Sequence, residues 1–92
     1  IQSMSQAAMA LGLDEKTANS LSIQTSLGAS LMATKSGKDS KTLRKEVTSP
    51  NGTTQAAIES FQDQNFEGIV AAATRAAYDR ARELSNDLGD VE

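Results

Sequence analysis

Residues 47–54 read V-T-S-P-N-G-T-T, and the next seven residues, Q-A-A-I-E-S-F, follow a helical pattern. Pro50 has a fixed φ angle, and a proline followed by Asn-Gly indicates a tight turn. Thr53 or Thr54 is then expected to be the N-cap of the helix. A sharp turn into a helix start leaves free backbone N–H groups beside two or three hydroxyls, an arrangement that binds carboxylate or phosphate. Taken by itself, however, the segment is explained more simply as a capped loop between two helices.

The sequence on either side of this turn predicts helices throughout the chain. Helices are expected at residues 3–11, 15–34, 40–47, 54–63 and 66–86. Gly12 suits the C-terminal end of the first helix, Asp14 is the expected N-cap of the second, and Asn65 favours a left-handed break before the last. Val47 and Thr48 favour strands, but the turn leaves no room for one. The predicted fold class is all-α, in one small helical domain.

The predicted helix at residues 15–34 has no charged residue between Lys16 and Lys35. Half of residues 17–34 are Thr, Ser, Asn or Gln, so the segment is far too polar to span a membrane. Its large apolar residues, which spread over more than half of the helical wheel, are Leu21, Ile23, Leu27, Leu31 and Met32. A helix without a charged face is expected to be covered on most sides. Because so small a chain has little else to cover it, we expect an intertwined homodimeric helical bundle.

Composition excludes several classes of function. The chain has 92 residues and no Cys or His, which excludes disulfides and any zinc site built on thiolate or imidazole. Its formal net charge of -3 argues against a nucleic-acid partner, which would normally meet a basic face. Asp79, Glu83 and Asp87 share one helix face, where solvated charges are a better explanation than an acid–base pair. No metal site is predicted.

A family resemblance gives the central turn a more specific interpretation. Residues 43–54 read L-R-K-E-V-T-S-P-N-G-T-T, residues 24–29 read Q-T-S-L-G-A after an earlier Gly12-Leu13, and residues 80–84 read R-A-R-E-L after Phe66 and an Ala72-Ala73 pair. These stretches resemble the C-terminal region of the pyrroline-5-carboxylate reductases. That family usually carries L-x-x-x-V-x-S-P-G-G-x-T, and its flanking helices include G-L … Q-T-x-x-G-A. The resemblance covers nearly the whole chain.

The resemblance implies a substrate-binding role for the turn. In that family the matching loop holds the carboxylate of the substrate, pyrroline-5-carboxylate, or of proline. Carried over by position, Ser49 would offer its hydroxyl, while Gly52 and Thr53 would offer backbone N–H groups. Thr54 would offer its N–H and its hydroxyl near the ring nitrogen, which makes it the candidate catalytic residue. Asn51 stands where the family usually has Gly; Asn tolerates left-handed angles, but its side chain could crowd the pocket.

The resemblance also implies a reaction for the parent enzyme. Hydride would pass from NAD(P)H to the imine carbon of pyrroline-5-carboxylate, giving L-proline, in the cytoplasm. The chain begins with Ile1 and contains neither a βαβ pattern nor G-x-G-x-x-G. We therefore expect residues 1–92 to be the C-terminal dimerisation domain of such an enzyme, with the nucleotide-binding domain absent. By itself the chain should bind no NAD(P)H and should be inactive.

Two other interpretations stay open at this point. The chain could be a free-standing, non-catalytic helical dimerisation module whose loop is a plain cap, or the helical domain of a different dehydrogenase of similar layout. An upstream strand–G-x-G-x-x-G–helix unit in the longer reading frame would support the reductase, whereas a start codon near Ile1 would support the free-standing module. The preference for NADH or NADPH, and any assembly of dimers into larger rings, are not determined by the sequence.

Overall fold

The computed structural model describes the backbone of residues 1–91 and the side chains of residues 1–87. The helices are α1 (Gln2–Ala10), α2 (Glu15–Ser36), α3 (Ser40–Glu46), α4 (Thr53–Asp63) and α5 (Phe66–Val91). No strand occurs in the described backbone, so the all-α prediction is confirmed. Contacts divide the chain into two compact units, one ending at Val47 and the other beginning at Thr48. None of the described helices is long and apolar enough to cross a membrane.

In the first unit, local side-chain chemistry sets the ends of the helices. The Asp14 carboxylate accepts from the Thr17 backbone N–H at 2.8 Å, which confirms Asp14 as the N-cap of α2. Asp39 caps α3 in the same way through the Thr42 backbone N–H at 2.8 Å. The C-cap of α1 is Leu11 and not Gly12 as expected, because the helix ends one residue earlier; Gly12 follows it and takes the positive φ, 112°, that glycine tolerates.

The packing of α1 against α2 buries small residues rather than large ones. Ser5, Ala18 and Ser22 are buried, and Ala18 is the one buried hydrophobic residue among the described side chains. The large apolar side chains of α2 are each between 43% and 51% exposed: Leu21, Ile23, Leu27, Leu31 and Met32. Small residues let the two backbones approach closely, but they remove little apolar surface from water. The first unit therefore leaves most of the apolar surface of α2 accessible.

In the second unit, a sharp break separates α4 from α5. Asn65 has a φ of 58°, which confirms the predicted left-handed residue, and the Phe61 and Phe66 rings pack across the break with centroids 4.7 Å apart. A Cβ on Gly68 would crowd the Asn65 side-chain amide, so glycine suits this position. α5 continues to Val91 and not to residue 86 as expected, although Asn86 and Gly89 have low helix propensities, costing about 0.7 and about 1 kcal/mol relative to Ala.

Candidate functional site

Residues 49–52 form the tight turn that the sequence predicts. The Gly52 N–H donates to the Ser49 carbonyl at 3.0 Å, which closes a four-residue β-turn. Pro50 is the second residue of this turn, and Asn51 is the third with a φ of 61°. A positive φ at the third position after proline is the signature of a type II turn. Asn51 therefore adopts the left-handed conformation that the third position of a type II turn requires.

The start of α4 differs from the expected one. Gly52 is the N-cap, with φ −88° and ψ 178°, and Thr53 is the first helical residue, so the prediction that Thr53 or Thr54 caps the helix is wrong. The reason is that the helix follows the turn without an intervening residue. Gly52 has no side chain to offer, and the helix start carries no side-chain cap hydrogen bond. The first helical backbone bond runs from the Ala56 N–H to the Gly52 carbonyl at 3.2 Å.

This arrangement leaves hydrogen-bond donors at the helix start. The N–H groups of Thr53, Thr54 and Gln55 precede the first helical bond and point out of the helix end. The Thr53 side chain is exposed and the Thr54 side chain is half-buried. Residues 48–58 contain no charged side chain, so every donor here is neutral. The turn–helix junction is thus an electropositive site made from backbone and hydroxyl groups alone.

The four predicted site residues meet at this junction. Gly52, Thr53 and Thr54 are consecutive, and the Gly52–Ser49 hydrogen bond closes the turn that brings Ser49 back to them. A Cβ on Gly52 would lie 3.1 Å from the Ser49 carbonyl oxygen, which is tighter than an ordinary contact. The turn itself therefore requires glycine at position 52. Close approach of a ligand to this backbone would be a second reason for it.

The sequence interpretation missed Gln55. Its side-chain oxygen accepts from the Asn51 N–H at 2.5 Å, and its amide nitrogen donates to Glu59 Oε1 at 3.2 Å. A Glu or Gln at the third helical position is half of the capping-box pattern, in which the side chain reaches back to a free N–H before the helix. The spacing of Gln55 from Gly52 is the signal that would have found it. The Gly52 N–H already donates to the Ser49 carbonyl, so the Gln55 side chain accepts instead from the preceding N–H, that of Asn51.

The described residues contain neither a cluster of metal ligands nor a βαβ unit. No group of three or more His, Cys, Asp or Glu side chains there is placed to hold a metal ion. Without a strand in residues 1–91, there is also no βαβ unit whose first turn could hold a pyrophosphate. The acidic residues of α5 instead pair with arginines, Asp79 with Arg75 at 3.1 Å and Glu83 with Arg80 at 2.9 Å, on an exposed face. This pairing agrees with solvated charges.

Two acids of the first unit, Asp14 and Asp39, have lowered pKa values, and both are helix N-caps. The Thr17 backbone N–H and then its hydroxyl lower the pKa of Asp14 from the usual 3.8. The Thr42 backbone N–H and then its side chain lower the pKa of Asp39 in the same way. Both carboxylates are fully used as N-caps, so neither is a candidate acid or base. Any chemistry at residues 48–54 rests on groups that do not titrate near neutral pH.

The fold and the site thus define a small all-α protein. Its helix α4 begins with free backbone N–H donors and has no side-chain cap. The family described as pyrroline-5-carboxylate reductase dimerisation matches residues 1–84, and the chain belongs to this family. The pyrroline-5-carboxylate reductase of Pseudomonas aeruginosa is 49% identical over 89 residues, 97% of this chain and 33% of that protein. Pyrroline-5-carboxylate reductase 2 of Bacillus subtilis is 42% identical over 88 residues, covering 96% and 32%.

Similarity extends to plants. The pyrroline-5-carboxylate reductase of Pisum sativum is 44% identical over 85 residues, 92% of this chain and 31% of that protein. The chain therefore spans about a third of the length of the curated relatives it matches. The family resemblance seen in the sequence is confirmed.

Proposed function

We propose that this chain is the dimerisation and substrate-carboxylate-binding part of a pyrroline-5-carboxylate reductase. Its helices would form a homodimer, and residues 48–54 would hold the carboxylate of pyrroline-5-carboxylate or proline. The observation that supports the proposal most is the start of α4. There the N–H groups of Thr53 and Thr54 lie beside the hydroxyls of Ser49 and Thr54, and no side chain caps the helix. This junction lies inside the segment that matches the family.

The donors suit a carboxylate because of their type and their direction. The N–H groups of Thr53 and Thr54 lie at the positive end of the α4 dipole, which favours a negative group. Ser49 adds a hydroxyl from across the turn, and the Thr54 hydroxyl is assigned to the ring nitrogen of the substrate. Within the described part of the chain, the Thr54 hydroxyl has no hydrogen-bond partner. Hydrogen bonds to a charged group are each worth about 1.5–3 kcal/mol.

The reaction of the longer enzyme belongs to the same proposal. Such an enzyme would reduce 1-pyrroline-5-carboxylate to L-proline with NAD(P)H in the cytoplasm, and this chain would be its C-terminal third. Residues 1–91 contain no βαβ unit, so no step of hydride transfer is assigned to them. Titration calorimetry of the 92-residue chain with NADH and with NADPH should give no micromolar binding. Micromolar binding would mean that the cofactor site has been assigned to the wrong part of the enzyme.

The exposed face of α2 supports the homodimer. Leu27 and Leu31 are 49% and 43% exposed, on a helix with no charge between residues 16 and 35. Gly28 lies on the same helix, and a Cβ added there would meet nothing within 4 Å, so no contact among the described residues explains the glycine. A second copy packed against this face would cover Leu27 and Leu31, and the absence of a side chain at Gly28 would let it approach closely. A twofold interface of at least about 1,200 Å² is expected.

Light scattering at micromolar concentration tests the homodimer. The proposal predicts the mass of two chains, and a folded, stable monomer would contradict it. Whether dimers assemble further is a separate result of the same measurement. The chain has a mass of 9.7 kDa, so a dimer and a larger ring are well separated in mass.

Steady-state kinetics on the full-length reductase test the carboxylate site. Ser49→Ala should lower kcat/KM for pyrroline-5-carboxylate by about tenfold and leave kcat/KM for 1-pyrroline, which lacks the carboxylate, unchanged. Thr54→Val should lower both, since its hydroxyl is assigned to the ring nitrogen that both compounds share. Ser3→Ala, a similar change on the exposed part of α1, is the control. Equal losses on both substrates for Ser49→Ala would argue against carboxylate binding at the turn.

A further inference from the structure

We propose that Gln55 is a positioning residue of the substrate loop, which holds the turn at residues 49–52 in its type II form. This inference rests on the proposed function, because it concerns how the carboxylate-binding groups are held. Two hydrogen bonds carry it. The Gln55 side-chain oxygen accepts from the Asn51 N–H, and its amide nitrogen donates to Glu59 Oε1 at 3.2 Å.

The Asn51 N–H is the group that distinguishes the two common turn types. Type I and type II turns differ by a flip of the central peptide, here the one between Pro50 and Asn51. The flip reverses the direction of the Asn51 N–H and brings the Pro50 carbonyl to the side that the N–H had occupied. Gln55 accepts from this N–H, so it stabilises only the type II form. In the flipped form a carbonyl oxygen would face the helix start and repel a carboxylate.

Asn51 makes this stabilisation necessary. Its φ of 61° is a conformation that glycine adopts freely and that a residue with a Cβ adopts at a cost. With glycine at the third position, a type II turn is strongly favoured without outside help. With asparagine the preference is weaker, and the hydrogen bond from the Asn51 N–H to Gln55 offsets the difference. The hydrogen bond to Gln55 thus compensates for the presence of Asn51 in place of glycine.

Glu59 sets the direction of the Gln55 amide. A carboxylate accepts hydrogen bonds and donates none, so the NH2 end of Gln55 must face Glu59. The oxygen end then faces the Asn51 N–H, which needs an acceptor. One turn of α4 separates Gln55 from Glu59, so the helix places Glu59 beside the NH2 end of Gln55 and thereby sets which end of the amide faces Asn51. The same contact engages the Glu59 carboxylate one helical turn after Gln55.

The test is a double-mutant cycle on the full-length reductase that carries this chain. Gln55→Ala should raise KM for pyrroline-5-carboxylate about tenfold, with kcat within twofold and with 1-pyrroline kinetics unchanged. Adding Asn51→Gly to Gln55→Ala should restore KM to within about twofold, because glycine favours type II by itself. Gln62→Ala, an exposed glutamine on the same helix, is the control and should change nothing.

Several outcomes would overturn the inference. Unchanged KM in Gln55→Ala, while Ser49→Ala still raises it, would leave the carboxylate site in place and remove the role of Gln55. Failure of Asn51→Gly to rescue KM would show that Gln55 acts through general helix stability. Unchanged KM in both Gln55→Ala and Ser49→Ala would reject the proposed function and this inference together. If Gln55→Ala unfolds, Gln55→Met keeps the side-chain volume without either hydrogen bond and replaces it in the cycle.

Discussion

The turn at residues 49–52 and the helix α2 differ in how much of their structure the chain itself explains. At the turn, three contacts within eight residues account for the geometry: Gly52 to Ser49, Asn51 to Gln55, and Ala56 to Gly52. Along α2, by contrast, the large apolar side chains are about half exposed and only Ala18 and Ser22 are buried. The candidate site is therefore explained by local contacts, whereas the described contacts leave the large apolar side chains of α2 half exposed.

Two glycines make the same contrast. A Cβ on Gly52 would crowd the Ser49 carbonyl at 3.1 Å, so a contact within the turn explains why glycine is there. A Cβ on Gly28 would meet nothing within 4 Å, although glycine in a helix interior costs roughly 0.5–1 kcal/mol relative to alanine. No contact among the described residues explains Gly28, and the proposed homodimer interface would explain it.

The largest effect is expected on α2. Leu27→Glu should prevent assembly of the homodimer, because burying an unpaired charge in an interface costs about 3–5 kcal/mol. Leu31→Glu should do the same, while Lys16→Glu, in the exposed first turn of the same helix, is the matched control. Sedimentation velocity at micromolar concentration measures the change in mass. A Leu27→Glu protein that remains dimeric would mean that this face of α2 is not the interface.

The next largest effect is expected at Gly52. Gly52→Val should lower kcat/KM of the full-length reductase by more than about 100-fold, because the side chain would crowd Ser49 and stand before the helix-start donors. Gly52→Ala should fall between the wild type and Gly52→Val, since a single Cβ requires a smaller shift of Ser49. Kinetics measured beside the melting temperature from circular dichroism separate disruption of the turn from obstruction of the helix-start donors. Equal activity in the alanine and valine variants would argue against close approach of a ligand to this backbone.

A smaller and more selective effect is expected at Thr54. Thr54→Val keeps the shape and the backbone N–H, and it should lower kcat/KM by about one to two powers of ten. The melting temperature should change little, because the cap of α4 is Gly52 and the Thr54 hydroxyl makes no hydrogen bond within the described residues. Measurement of kcat/KM beside the melting temperature is the check. A loss of activity that merely follows unfolding would make Thr54 a structural residue.

The smallest effect is expected at the N-cap of α2. The pKa of Asp14 is lowered in the folded chain, so its carboxylate adds stability above its unfolded pKa and loses it as the pH falls through the lower, folded pKa. Asp14→Ala should therefore lower the melting temperature slightly at pH 7, and the difference from wild type should shrink below about pH 3.8. Asp14→Asn, which keeps an acceptor, is the control. A difference that grows on acidification would contradict this assignment.

Local signals in the sequence predicted much of the molecule. The turn at Pro50, the left-handed Asn65 and the Asp14 cap were all correct, because each depends on residues within three or four positions of one another. The cap of α4 was assigned wrongly, since threonine is a good N-cap and nothing in the sequence shows that Gly52 enters the helix directly. The Gln55 contacts were missed for a related reason, because they depend on which N–H groups the turn leaves unpaired.

The sequence by itself determined the helical fold class, the turn and the family, since short-range propensities and a specific motif encode them. The tertiary structure decided which residue begins α4, which donors remain open at its start, and how Gln55 meets Asn51. It also decided that small residues, Ser5, Ala18 and Ser22, are buried between α1 and α2. The physical reason is that propensity is summed over neighbours along the chain, whereas burial and hydrogen-bond pairing depend on which groups the folded backbone brings together.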